Sequence, residues 1–221
     1  MSIKRKQPLV SVIIPTHDRV KLLQRAVLSI QNQQYDNIEV IIVDNKSTKP
    51  LEKDLLDFEL NIKIFRSEKF MLLPDSRNYG IEKSSGELIC FLDDDDEYYT
   101  DKIKEGVEFL TSNTEYDFLY GNTVQIDTYG NQIEISSGPI DIYNFLRWRY
   151  IHMNSIMIRR HILDHIKFNP LMAIYEDVEF AGRLLLMYKG YHIENNHSIW
   201  HRDNRPDQLT KKGNYKRVYN N

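Results

Sequence analysis

Four aspartates and a glutamate stand side by side at Asp93, Asp94, Asp95, Asp96 and Glu97, directly after the apolar run Leu88 to Leu92. Adjacent carboxylates repel one another and are costly to take out of water, so they need a cation, a solvated loop or shifted protonation. Oxygen donors of this kind suit Mg²⁺ or Mn²⁺, hard cations that keep several waters and often share substrate phosphates. A solvated acidic turn fits the same composition, and the Asp-x-Asp-x-Asp-Gly spacing of an EF-hand is missing. A second acidic pair, Glu176 and Asp177, opens an amphipathic stretch. Negative charge at the positive end of a helix dipole accounts for that pair without chemistry, whereas a general base held at a helix start accounts for it with chemistry.

The elements that must position these groups follow a repeating pattern. Leu9 to Pro15 is a β-branched run followed by Val20, Leu23, Ala26, Val27 and Ile30 at helical spacing, which predicts strand, turn and amphipathic helix. Ile38 to Val43 and Ile62 to Phe65 read as further strands, with Asp75 capping a helix through Ile81 that stops near Gly86. Leu88 to Leu92 is a fourth strand, and Thr100 is placed to cap a helix carrying Ile103, Val107 and Leu110. Strands that are apolar throughout and alternate with helices imply an α/β fold with a mostly parallel sheet flanked by helices. Ligands of such sheets sit outside the carboxyl ends of the strands. Three polar clusters fall there: Thr16 to Asp18, Asp44 to Ser47, and Asp93 to Glu97.

The remainder is less regular and reads as a smaller second half. Tyr116 to Ser136 predicts a hairpin turning at Tyr129 to Asn131, and Asp141 caps a short helix. Met153 to Ile158 predicts a strand. Ala181, Leu184, Leu185 and Tyr188 share one face of a helix, with Gly190 as its C-terminal cap. The expected organisation is an extension over 1–8, one domain over 9–210 divided softly near 112, and a basic polar tail over 211–221.

A chain of 221 residues with net charge −3 can bury a sizeable core and has no electrostatic footprint for nucleic acid. No run of about 18 apolar residues exists, and Met1 to Pro8 lacks a signal peptide's apolar segment. The expected location is cytoplasmic, with at most peripheral membrane contact through the basic ends, Lys4 to Lys6 and Lys211 to Arg217. The single cysteine, Cys90, reads as a small core residue with nothing cationic beside it. His161 and His165 lack a third zinc ligand and read as a surface pair. His152, His192 and His197 read as structural. Neither Gly-x-x-x-x-Gly-Lys nor Gly-x-Gly-x-x-Gly occurs, which disfavours a P-loop ATPase and an ordinary dinucleotide oxidoreductase.

The segments "VSVIIPTHDR", "IEVIIVDNKS", "SRNYGIEKSSGELICFLDDDDEYYTDKI", "NSIMIRRHIL", "YEDVEFAGRL" and "IWHRDNRPDQLT" occur in this order, and together they resemble family 2 glycosyltransferases of the GT-A fold. The resemblance runs from about Val10 to Thr210. It implies that Asp95 coordinates Mn²⁺ or Mg²⁺ at a donor diphosphate, with Asp93 or Asp94 on the ribose and His201 as a further metal ligand. It also implies that Pro15, Thr16 and His17 lie against the base, that Asp44 reads the uracil edge and that Arg77 reaches toward the nucleotide. Asp177 matches the base that deprotonates the acceptor hydroxyl, and Glu176 matches its neighbour facing the acceptor. The implied activity is inverting transfer from a nucleotide sugar, with a UDP-sugar favoured, to a glycan or glycolipid. Alternatives are a sugar nucleotidyltransferase, for which no basic triphosphate loop follows the first strand, and a non-catalytic module on the same fold. Two departures stand out. "DNKS" replaces the family's commoner Asp-Asp-Gly-Ser, and the terminal segment spreads His201, Arg202 and Arg205 over the region that meets the diphosphate.

Overall fold

The computed structural model describes residues 7–135, 138–147 and 151–202. Lys4 to Lys6, Trp148, Arg205 and the basic segment after Thr210 lie outside the described residues. Strands β1 (Val10–Thr16), β2 (Ile38–Asp44), β3 (Asn61–Arg66) and β4 (Leu88–Phe91) pair in parallel in the order β3-β2-β1-β4. Helix α1 (Val20–Gln31) follows β1, α2 (Leu73–Lys83) follows β3, and α3 (Lys102–Ser112) follows β4 after the short strand β5 (Glu97–Tyr98). The sheet continues through β6 (Phe118–Asp127), β8 (Met157–Arg159) and β9 (Gly190–Arg202), while β7 (Gln132–Ile135) folds back on β6 as the expected hairpin. Helices α4 (Ile142–Arg147) and α5 (Glu176–Met187) complete the elements used below.

Successive side chains of a strand point to opposite faces, and both faces are covered here. Val12, Ile14, Val40, Ile42, Leu88 and Cys90 pack with Leu23, Ala26 and Val27 of α1 and with Ile103, Val107 and Leu110 of α3. Ile13, Ile41, Ile89 and Phe91 pack instead with Ile81 of α2 and with Phe180, Ala181 and Leu184 of α5. Helix α2 lies close to the sheet: a Cβ on Gly80 would stand 2.3 Å from Ile13 Cγ2. Beyond β4 the order runs β8-β6-β9-β5, with β8 antiparallel to β4 and β5 antiparallel to β9. Glu97 is thereby paired with Ile199, so β9 ends against the acidic loop.

Several local expectations change. Gly190 opens β9 rather than capping α5, and it does so because Phe118 of β6 leaves no room for a side chain, whose Cβ would lie 2.3 Å from the ring. Met153 to Ser155 form a helical turn before the three-residue β8. Neither Thr100 nor Asp75 caps its helix; Asp101 precedes α3, and Asp75 sits inside the first turn of α2. Asp141 does cap α4, its Oδ1 accepting the Asn144 amide at 2.7 Å. His161 and His165 are exposed, as a surface pair requires. Cys90 is buried but has a cationic neighbour: Lys102 Nζ stands 3.4 Å from its sulfur. Burial still pushes the thiol up, against the pull of that ammonium.

Candidate active site

The ends of β1, β2 and β4 come together. Thr16 Oγ1 donates to Asp94 Oδ2 at 2.7 Å, joining the first loop to the acidic one. The Asn45 amide donates to Thr16 O at 2.8 Å, the Asp18 amide donates to Ser47 Oγ at 2.9 Å, and His17 Nδ1 lies 2.8 Å from Asn45 O. Asp44 is buried beneath this turn, accepting the Ser47 amide at 2.8 Å with Arg66 Nη1 at 3.7 Å. Pro15 is buried in the same strand end. His17 remains half-exposed, its ring edge-on to Phe70 at 5.5 Å.

Among the described residues, the non-glycine positions with positive φ are Asp18 at 53°, Lys46 at 62° and Tyr175 at 61°. Each costs on the order of 1–3 kcal/mol unless its surroundings hold it. All three flank the candidate site, two in its loops and Tyr175 directly before Glu176. Lys46 stands where the resembling family commonly has glycine, and it takes the left-handed conformation a glycine would supply. The turn after β2 thus has at Lys46 a backbone conformation that glycine adopts without strain.

The acidic side chains are met by a small set of partners, some of them shared. Arg77, fully buried, donates from Nη2 to Asp93 Oδ1 and from Nη1 to Glu176 Oε1, both at 2.8 Å. Arg19 Nη1 meets Asp94 Oδ1 at 3.1 Å and Asp95 Oδ2 at 3.5 Å. Asp96 accepts Asn154 Nδ2 at 2.6 Å and the His201 amide at 2.9 Å, while Asn154 Oδ1 accepts the Asp93 amide at 3.0 Å. Glu97 lies 2.7 Å from His201 Nε2 and 3.5 Å from Arg25 Nε, and Arg25 also donates to the Asp95 carbonyl. Three arginines thus offset the repulsion that the sequence alone leaves to an external cation. Arg19, Arg25 and Asn154 have no role in the sequence reading, and Asp96 and Glu97 enter it only as charge; the need for counter-charge was the available signal, without a way to say which arginine answers it.

The compensation is incomplete. Burial raises Asp94 to about 7, with Asp95 adding to the rise and Arg19 and Thr16 opposing it. Burial, with Asp95 and Asp93 beside it, lifts Asp96 well above the ordinary range. Burial also raises Glu176, against the Arg77 guanidinium and with Asp177 adding to the rise. Asp177 follows in the first turn of α5, its Oδ1 accepting the Val178 amide at 2.8 Å. His152 is buried close by, its ring 5.6 Å from that of Trp200; burial holds it below its ordinary value, against the pull of Asp93 and Asp177.

Among the described residues, no three or more His, Cys, Asp or Glu side chains are grouped to hold a metal ion between them. A hard cation here would take one or two carboxylates and complete its shell with water and phosphate oxygens, which is how Mg²⁺ is commonly bound. Asp95 has the longer of the two Arg19 contacts.

The chain is 40% identical over 94 residues to the Campylobacter jejuni GalNAc(5)-diNAcBac-PP-undecaprenol beta-1,3-glucosyltransferase, covering 41% of this chain and 30% of that protein. It is 26% identical over 188 residues to the amylovoran biosynthesis glycosyltransferase AmsB of Erwinia amylovora, covering 78% of this chain and 62% of that protein. The chain thus spans less than two thirds of the length of these relatives. In solved structures, S. aureus TarS 1-349 in complex with UDP-GlcNAc superposes with a TM-score of 0.73 at 20% identity, over 90% of this chain and 60% of that one. The mannosyltransferase PcManGT from Pyrobaculum calidifontis, in complex with GDP-Man and Mn²⁺, gives 0.69 at 17%, over 96% and 60%. The fold is that of GT-A glycosyltransferases. The sequence profile described as Glycosyl transferase family 2 matches residues 11–171, and the chain belongs to that family.

Proposed function

We propose that this chain transfers a sugar from a nucleotide-sugar donor, a UDP-sugar first, to a hydroxyl of a glycan or glycolipid, with inversion. The observation that carries the reading is one cleft in which three strand ends meet and which Arg77 joins to the start of α5. Asp177 takes the proton of the acceptor hydroxyl, whose oxygen bonds to the anomeric carbon as the bond to the diphosphate oxygen breaks. A single displacement inverts the anomeric centre and releases a nucleoside diphosphate. Asp95, with His201 as a second candidate, would hold a divalent cation, which when bound offsets charge on the departing diphosphate. Glu176, anchored to Arg77, fixes the start of α5 and hence the position of Asp177. Thr16, His17 and Asp44 form the floor on which the base would lie, with Asp93 and Asp94 toward the ribose. Among the described residues no helix is long and apolar enough to cross a membrane.

Incubation with a panel of UDP- and GDP-sugars and Mn²⁺ tests the reading through release of nucleoside diphosphate. One donor should be turned over, and Asp95→Asn and Asp177→Asn should each slow transfer by at least about 10²-fold with an unchanged melting temperature. Near-normal turnover by either purified variant removes the role given to that residue, and binding without release would leave a pure binding module.

A further inference from the structure

The acidic loop is met by two unlike arginines. Arg77 is 2% exposed, and both of its carboxylate contacts are 2.8 Å. Arg19 is 25% exposed, and one nitrogen, Nη1, serves Asp94 at 3.1 Å and Asp95 at 3.5 Å. Charge-assisted bonds at full strength run about 2.7–2.9 Å. Arg77 is therefore a fixed part of the wall, while Arg19 meets Asp94 and Asp95 at longer range and is the more exposed of the two arginines. Asp94 is anchored independently through Thr16. Asp95, 18% exposed, is the more accessible of the two.

We propose that Arg19 is a displaceable counter-cation, covering Asp95 in the donor-free protein and competing with a divalent cation for that carboxylate. The proposal rests on the donor site described under Proposed function. Two positive groups cannot both lie close to one carboxylate without repelling each other, so the bare protein binds the ion weakly. A nucleoside diphosphate changes the balance, because its oxygens can receive the guanidinium and the ion together. Ion and nucleotide then bind with positive coupling, and linkage requires each to tighten the other by the same factor.

Titration of Mn²⁺ into the full chain, with free Mn²⁺ read by electron paramagnetic resonance in the absence and presence of UDP, tests this without any turnover. Arg19→Met should bind Mn²⁺ about tenfold tighter than the parent chain without UDP, and UDP should then add correspondingly less. Arg19→Lys keeps a cation in place and should stay within about threefold of the parent. Equal or weaker Mn²⁺ binding by Arg19→Met without UDP overturns the proposal. Should the parent chain take up no Mn²⁺ even with UDP, the sugar-transfer reading loses its metal, and the comparison without UDP still decides the role of Arg19.

Discussion

The two ends of the central strands bury carboxylates in opposite ways. At the amino ends, Glu39 of β2 is 0% exposed. It accepts the Ser11 hydroxyl and the Ser85 amide, each at 2.5 Å, the Gly86 amide at 3.1 Å and Lys63 Nζ at 2.7 Å. Burial alone would raise it, but Lys63, Ser11 and Ser85 outweigh burial and hold it at about 2. At the carboxyl ends, Asp94 and Asp96 have fewer donors and carboxylate neighbours, and both rise. Burial raises all three, so the difference lies in what faces each carboxylate: Lys63, Ser11 and Ser85 at Glu39, and neighbouring carboxylates at Asp94 and Asp96. A carboxylate saturated with donors locks strands together. One left under-compensated is ready to accept further positive charge, which is the condition expected of a ligand site.

Removing the saturated group should have the largest effect on stability. Glu39→Ala takes the acceptor from the buried Ser11 hydroxyl and from the Ser85 amide and breaks the ion pair with the half-exposed Lys63, a loss of about 3 kcal/mol, which lowers the melting temperature of a chain this size by roughly 6–12 °C. UDP affinity at a temperature where the variant is folded should not change. A loss of affinity matching the loss of stability would mean that the two ends are not separate in function.

The opposite shifts also predict opposite responses to pH. Below the ordinary carboxylate value both forms of Asp94 are protonated; between that value and about 7 the folded chain keeps a proton that the unfolded chain has lost. This contribution to stability is fully present at low pH and is lost as pH rises through about 7, by at most about 1.4 kcal/mol per pH unit. Glu39, ionised in both states over that range, adds nothing to the slope there; its contribution is lost as pH falls from the ordinary value of 4.5 toward about 2. In urea unfolding from pH 4.5 to 8, Asp94→Asn should therefore remove a component of the slope that falls toward neutrality, and Glu39→Ala should leave that component in place. Equal slopes in the parent and Asp94→Asn would show that Asp94 titrates normally.

The sequence makes one of these ends legible and not the other, for physical reasons. β1, β2 and β4 are apolar throughout because both faces are covered, and their polar ends point to the cleft. Glu39 interrupts that pattern inside a strand, and its donors come from residues 11, 63, 85 and 86, so nothing local marks it. Arg77 is similar: its partners Asp93 and Glu176 lie 16 and 99 residues away, a pairing that the fold alone creates. β9 is hidden because its partner β6 accepts it with register shifts between Tyr120 and Thr123, which blur alternation along residues 190–202. The acidic loop was visible as charge, whereas its neutralisation by Arg19, Arg25 and Arg77 required three separate segments to converge.

The smallest effect belongs to Asp96, and it isolates the principle. Its Oδ2 accepts Asn154 Nδ2 and its Oδ1 accepts the His201 amide, so asparagine keeps one acceptor and loses the other. A lost neutral hydrogen bond costs about 1 kcal/mol, but asparagine also removes a carboxyl that burial and its neighbours disfavour as an anion. These terms oppose each other, and Asp96→Asn should change stability by less than about 1 kcal/mol. Calorimetry of Asp96→Asn beside Glu39→Ala measures the contrast directly: two buried carboxylates on one sheet, one costly to remove and one nearly neutral. A loss for Asp96→Asn as large as that for Glu39→Ala would mean that the acidic loop, too, is held by saturated donors, and its readiness for a cation would then have to reside in Asp95 alone.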